Sequence, residues 1–139
     1  MMTFTFDLIS DLHVETWKET FDWSGRSTSP HAVVIGDIAK DREQVLHCLD
    51  NLRKNYQAIF YIDGNDEHKN YVNDLGSSYN HLAKKLAKIP SVVYLQDNVV
   101  VVDGVAILGT NGWWGFDFDV GIDPEESAAW YADKEGLDP

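Results

Sequence analysis

Ala32-Val33-Val34-Ile35-Gly36-Asp37 is a run of four apolar residues that ends in a glycine and a carboxylate. A short apolar run without alternation reads as a strand buried within a sheet. The pattern recurs on either side. Phe4 to Ser10 is largely apolar and leads into Asp11-Leu12-His13, and Ala58 to Ile62 leads into Asp63-Gly64-Asn65. Polar residues therefore fall just beyond the ends of successive strands. In an open α/β sheet, ligands bind outside the carboxyl ends of the strands.

Helical patterns separate these strands. Asp41 is placed to cap a helix from Arg42 to about Asn55, with Gln44 in a capping-box-like position. Val45, Leu46, Leu49 and Leu52 share one face of it. A second helix is expected from about Asn70 to Lys88, on Tyr71, Leu75, Tyr79, Leu82 and Leu86. Gly76-Ser77-Ser78 is a candidate break, and Pro90 is the stop. Ser91 to Leu95 reads as a fourth strand. Val99 to Val102 and Val105 to Leu108 flank Asp103-Gly104, a two-residue hairpin signal. Asp123-Pro124-Glu125-Glu126 reads as the start of a last helix, running to about Glu135. The expected class is α/β, with mainly one mixed sheet and flanking helices in a single domain over 1–139.

Composition bounds the partners. The 139 residues carry 11 Lys and Arg against 23 Asp and Glu, a net charge of −12. Such a chain repels phosphate backbones, so extended nucleic-acid binding is not expected, and a phosphate substrate would need bound cations to draw it in. Cys48 is the single cysteine, which with the absence of a signal-peptide pattern suits a cytoplasmic setting. No apolar run approaches membrane-spanning length.

Each polar group has both a chemical and a bland reading. In an extended segment Asp11 and His13 point to the same side and can reach one metal ion; a capped turn after a strand has the same sequence. The Asp37 carboxylate can bridge two cations, with Gly36 letting backbone approach, or it can cap the next turn. Asn65 offers a neutral amide oxygen, or a plain Gly-Asn turn.

The order of these motifs resembles the calcineurin-like metallophosphoesterase family. The resemblance runs from Ile9-Ser10-Asp11-Leu12-His13 through Gly36-Asp37-Ile38 to Gly64-Asn65-Asp66-Glu67, with Leu108-Gly109-Thr110-Asn111-Gly112-Trp113 similar to a later strand-to-loop segment. It implies a partial α/β/β/α sandwich and hydrolysis of a phosphate ester, mono- or diester, by a metal-activated hydroxide. It implies two divalent ions (Mn, Fe, Zn or similar), with Asp11 and His13 on the first, Asp37 bridging and Asn65 on the second.

Two features depart from the family. Asp66 stands where the family carries a histidine; a carboxylate beside cations is a poor proton donor. His68 lies two residues on, either reaching back or sitting at the surface, so Asp66 and His68 are the candidate catalytic residues. The family's further ligands are histidines on later strands, and no histidine follows His81 here. A downstream segment, a second chain or a homo-oligomer would have to supply them. The rival reading is a non-catalytic remnant that binds metal or a partner.

The remaining candidates are weaker. His31, His47 and His81 read as ordinary surface or half-buried residues, and Cys48 as a packed thiol. Trp17 and Trp23 are candidates for a lid. Trp113, Trp114 and Phe116 are candidates for a pocket wall or for packing between halves. Asp117, Asp119 and Asp123 miss an EF-hand spacing and read as a solvated loop.

Overall fold

Four strands lie side by side, all parallel and in sequence order: β1 (Phe6–Ile9), β2 (His31–Ile35), β3 (Ala58–Ile62) and β4 (Val92–Tyr94). The structure is a computed structural model; it describes residues 3–70 and 75–111, together with Ala129, Asp133 and Lys134. The class is α/β. A parallel pair cannot be joined by a tight turn. Helix α1 (Arg42–Arg53) therefore crosses from β2 to β3, and α2 (Leu75–Leu86) from β3 to β4. The longer link from β1 to β2 holds only a 3-10 turn, Val14–Thr16.

Local chemistry accounts for the boundaries. The Asp41 carboxylate accepts the Gln44 N–H at 3.0 Å and caps α1, satisfying one of its free amide groups. Val45, Cys48, Leu49 and Leu52 form its buried stripe, while Leu46 is only half-buried. Gly76-Ser77-Ser78 does not break α2. Ser78 is buried there, and its hydroxyl meets the Arg42 guanidinium at 2.9 Å, so its polar atom has a partner outside the helix. The expected start of α2 at 70–74 and the elements expected beyond Asn111 lie largely outside the described residues. So do Trp113, Trp114, Phe116, Asp117, Asp119 and Asp123.

The period of two along each strand separates the sheet's faces. Ile9, Ala32, Val34, Ile59 and Tyr61 point to one face and meet Val45, Leu49, Leu52, Leu82 and Leu86 of the helices. Phe6, Leu8, Val33, Ile35 and Phe60 point to the other. Phe60 is buried, but Leu8 is 64% exposed and Phe6 and Ile35 are exposed too. Strands that read as buried on both faces are thus covered on one, and at β1 the second face is open.

The expectation of one mixed sheet is corrected. β5 (Asn98–Val102) and β6 (Val105–Gly109) form a two-stranded antiparallel sheet of their own. Leu95 makes the last bond to the parallel sheet, its N–H reaching the Tyr61 carbonyl at 2.8 Å. Asp97 then turns left-handed, with φ 55, and its N–H closes on the Gly109 carbonyl at 2.9 Å. At the other end Asp103 and Gly104 both have positive φ, 49 and 77, as a two-residue turn of the primed type requires. Gly109 rests on Leu95 and Ile62 so closely that a Cβ there would come within 2.3 Å of the Leu95 side chain. Among the described residues no helix is long and apolar enough to cross a membrane.

The long link after β1 is fastened by a polar chain. The Tyr56 hydroxyl and the Thr28 amide donate to Asp7 Oδ2 at 2.8 and 2.7 Å, and the Thr28 hydroxyl donates to Oδ1. Trp23 Nε1 donates to the Tyr56 hydroxyl at 2.8 Å. Trp17 donates to the Leu12 carbonyl at 2.9 Å, and its ring packs against Phe21 at 5.1 Å. The two tryptophans anchor this link to the core, which replaces the expected lid. Desolvation pushes the Asp7 carboxyl up, but the bonds from Thr28 and Tyr56 outweigh it and hold it at about 2, below its usual 3.8. A carboxyl lowered on folding stabilises above its unfolded value, and that contribution is lost as pH falls through the folded value. Asp7→Asn should therefore lower the urea midpoint at neutral pH, and the gap from wild type should close between about pH 4 and pH 2. A gap independent of pH over that range would show that the carboxylate charge is not what Thr28 and Tyr56 hold.

Candidate metal centre

The carboxyl ends of β1 and β2 are laced together by backbone bonds. The N–H groups of Asp11, His13 and Val14 reach the carbonyls of Gly36, Asp37 and Ile38 at 3.2, 3.1 and 2.9 Å. This carries the β1–β2 pairing past the strand ends, but not in an extended conformation. Asp11, His13 and Asp37 are all left-handed, with φ of 53, 42 and 53. Asp and His tolerate this region better than most residues, yet each such position costs on the order of 1–3 kcal/mol and persists only where its surroundings impose it. The expectation that Asp11 and His13 align because their segment is extended is therefore corrected. Two left-handed residues around Leu12 curl the chain and bring His13 Nε2 to 3.9 Å from Asp11 Oδ1.

β2 and β3 are held by a buried carboxylate. Glu67 accepts from the Ile38 N–H at 2.9 Å with Oε1, and from the Asp37 and Gly64 N–H groups at 3.2 and 3.0 Å with Oε2. The two glycines make room for this clasp. A Cβ on Gly36, whose φ is +73, would lie 2.6 Å from the Gly64 nitrogen. A Cβ on Gly64 would lie 2.1 Å from Asp37 Oδ1. The expected role of Gly36, close approach of backbone, is met by the backbone of the neighbouring loop.

The lacing gathers the candidate ligands. Donor atoms of Asp11, His13 and Asp37 lie within 4.8 Å of one another, and so do those of His13, Glu15 and Asp66. Asp66 is buried; its N–H donates to Asp37 Oδ1 at 3.2 Å, and its side chain lies 3.3 Å from His13 Nδ1 and 2.9 Å from Lys69 Nζ. Asn65 opens the 3-10 turn Asp66–His68, half-buried, its Nδ2 3.5 Å from Asp66 Oδ1. Burial pushes the Asp37 carboxyl up, and the carboxylates of Asp66 and Asp11 add to this against the Asp66 amide bond. The donors fit a divalent cation of the harder or borderline kind: carboxylate oxygens, one imidazole and an adjacent amide at one sheet edge.

His68 is not part of this group. It is 2% exposed, with Nε2 at 2.8 Å from Asp63 Oδ2 and Nδ1 at 2.6 Å from the Ser78 hydroxyl. The surface position considered for it is thus corrected, and neither nitrogen is turned toward Asp11 or Asp37. Asp63 also accepts from Tyr94 and Asn111, at 2.5 and 3.0 Å. Together with Arg42, which donates to the Ser78 hydroxyl and the Glu67 carbonyl, this network ties α1, α2, β3 and β4 behind the site turn. His31 is buried beside Phe4 and Phe60, His47 is exposed on α1, and His81 meets Arg42 at 3.1 Å. Burial pushes the Cys48 thiol up to about 12, so it is a packed thiol and not a nucleophile.

Glu15 and the clasp formed by Glu67 were missed as site residues in the sequence. Glu67 stands in the Gly-Asn-x-Glu motif, whose fixed spacing was the available signal. Glu15 is the next i+2 step after Asp11 and His13, and nothing else marks it.

No family model matches the sequence, and no curated protein matches it. In fold the chain is similar to the crystal structure of phosphopantetheinyl hydrolase from Mycobacterium tuberculosis, with a TM-score of 0.65 and 20% identity, over 97% of this chain and 52% of that one. The chain spans about half the length of that protein.

The clasp is testable apart from any activity. Glu67→Gln places an amide NH₂ against a backbone N–H and should cost about 1–3 kcal/mol in urea unfolding. Gly64→Ala should cost more, because the added Cβ overlaps Asp37. Unchanged midpoints in both variants would show that the three loops are held by other means.

Proposed function

We propose that this chain carries the first half of a calcineurin-like, metal-dependent phosphoester hydrolase site. The observation that carries the reading is the convergence of Asp11, His13 and Asp37, with donor atoms within 4.8 Å, at the carboxyl edge of a parallel sheet. The ordered motifs support it, and so does the similar fold of a protein named as a phosphopantetheinyl hydrolase, since phosphopantetheinyl groups are phosphate esters.

Asp11 and His13 would hold one cation, Asp37 would share it with a second, and Asn65 would offer its amide oxygen to that second ion. When bound, the cations supply neutralising charge for a phosphoryl group and lower the pKa of a coordinated water. The protein's own share is placement: Glu67, Gly36 and Gly64 hold Asp37, and the left-handed turns hold Asp11 and His13. Asp66 is already engaged by His13 and Lys69, so protonation of a leaving group is not assigned to it or to His68. With a net charge of −12, the expected substrates are small phosphate esters and not long duplexes.

One observation favours the rival reading of a remnant that binds metal or a partner without turnover. His13 is the single histidine in either candidate ligand group among the described residues, and no histidine follows His81 in the sequence. Further ligands would come from a further segment, another chain or a second copy. The open face at Phe6, Leu8 and Ile35 is a surface on which such a segment could pack, burying apolar area at about 25 cal/mol per Å².

Metal content and turnover separate the readings. After dialysis against Mn²⁺ or Zn²⁺, the chain should retain metal and hydrolyse a small aryl phosphodiester, and chelation should abolish both. Asp37→Ala should lower metal affinity by more than about 100-fold, beyond the loss typical of an outer-shell change. Metal retention without turnover would establish the remnant. No retained metal in wild type would sink the hydrolase reading and leave a remnant that binds a partner.

A further inference from the structure

We propose that Asp66 is a positioning residue for the metal ligand His13: it takes the imidazole Nδ1–H, and so presents the Nε2 lone pair on the side of Asp11. This rests on the metal-site reading, and it concerns the position at which the chain departs from the resembled family.

The two nitrogens of His13 face different groups. Nε2 lies 3.9 Å from Asp11 Oδ1, and His13 converges with Asp11 and Asp37. Nδ1 lies 3.3 Å from Asp66 Oδ2 and 3.6 Å from Glu15 Oε1. A neutral imidazole has one N–H donor and one lone pair, so the group that takes the N–H decides which nitrogen is left for a metal. Metal-bound histidines commonly give their other N–H to a carboxylate for this reason.

Asp66 is better placed than Glu15 to do so. Its side chain is 6% exposed against 29% for Glu15, so its attraction to a donor is less weakened by water. It is also fixed from both sides. Its other oxygen meets Lys69 Nζ at 2.9 Å, and its own N–H is bonded to Asp37 Oδ1 at 3.2 Å. Which oxygen faces His13 is thereby set, at 3.3 Å from Nδ1, and the proposed hydrogen bond requires the ring to turn toward it. The carboxylate that replaces the family histidine is therefore tied to two of the candidate ligands, through its side chain to His13 and through its amide to Asp37. It acts on ligand geometry and not on the leaving group.

The nitrogen that carries the proton can be read directly. In the ¹⁵N-histidine-labelled 139-residue chain at mildly alkaline pH, long-range ¹H–¹⁵N spectra distinguish the two tautomers, and His13→Gln identifies the signal. The metal-free wild type should show the Nδ1–H form at His13, and Zn²⁺ should shift Nε2. An Nε2–H form, or Zn²⁺ bound through Nδ1, overturns the proposal. Asp66→Asn, which keeps the shape of the side chain, should mix the tautomers and weaken Zn²⁺ binding by about 10–100-fold, while Asp66→Glu should recover part of both. Zn²⁺ affinity unchanged in Asp66→Asn also overturns it. Failure of wild type to bind Zn²⁺ at all would count against the functional reading, whereas the metal-free tautomer still decides the role of Asp66.

Discussion

The Glu67 carboxylate, buried between the ends of β2 and β3, is the interaction on which the site depends. Its two oxygens take the amides of Asp37, Ile38 and Gly64, three donors that the sheet cannot satisfy once the strands have ended. Buried amides left unpaired would each cost about 1–3 kcal/mol. Burial pushes the Glu67 carboxyl up, and the nearby Asp37 charge adds to this, against the backbone bonds from Ile38, Glu67 itself and Gly64. A protonated Glu67 would be a poorer acceptor, so the clasp is strongest where the carboxylate is ionised. Loops that would otherwise splay apart are held as one surface. The left-handed turns at Asp11, His13 and Asp37 are tolerable because that surface leaves them no alternative.

The rest of the fold serves this edge. A parallel sheet places all its carboxyl ends on one side, so three loops distant in sequence become neighbours. The register Leu8↔Val33↔Phe60 keeps the ends of the strands level, and the loops leave them at nearly the same height. Behind the loops, Asp63, His68, Ser78 and Arg42 form a buried polar network in place of apolar packing. Such a network is unforgiving of displacement, because a broken member leaves a desolvated polar group without a partner. It fixes the turn that carries Asn65, Asp66 and Glu67 against both helices.

The sequence made the repeating units of this fold readable because their causes are local. The bounds of β3, the cap at Asp41 and the turn at Asp103-Gly104 follow from apolar runs, a side-chain acceptor and residues that accept positive φ. The site was readable only as a set of residue types at strand ends. The left-handed geometry of Asp11 and His13 depends on carbonyls of Gly36 and Asp37, more than twenty positions away, and no property of Asp-Leu-His announces it. The burial of His68 depends on Ser78, which reads as a helix breaker when its partners Arg42 and His68 are out of view. The separation of β5 and β6 from the main sheet rests on one left-handed aspartate at 97 and on a glycine pressed against Leu95. Each of these is a tertiary cause acting on a locally ambiguous residue.

Charge balance explains why such a site is suited to cations. Asp11 and Asp37 have carboxylate oxygens within 4.8 Å, and Asp66 and Glu15 stand on the other side of the same imidazole. Two unit charges at that separation repel by roughly 3–4 kcal/mol at an effective dielectric near 20. The basic group seen within the cluster, Lys69, is paired with Asp66 on its outer oxygen and so offsets one carboxylate of the four. The fold nevertheless commits a buried clasp, two essential glycines and three left-handed residues to holding these groups together. A purely structural turn has no need of that arrangement, since carboxylates that only cap backbone amides can point apart into water. Convergence of repelling groups, imposed at a cost in strain, is what a site must do if a divalent ion is to find its ligands already in place.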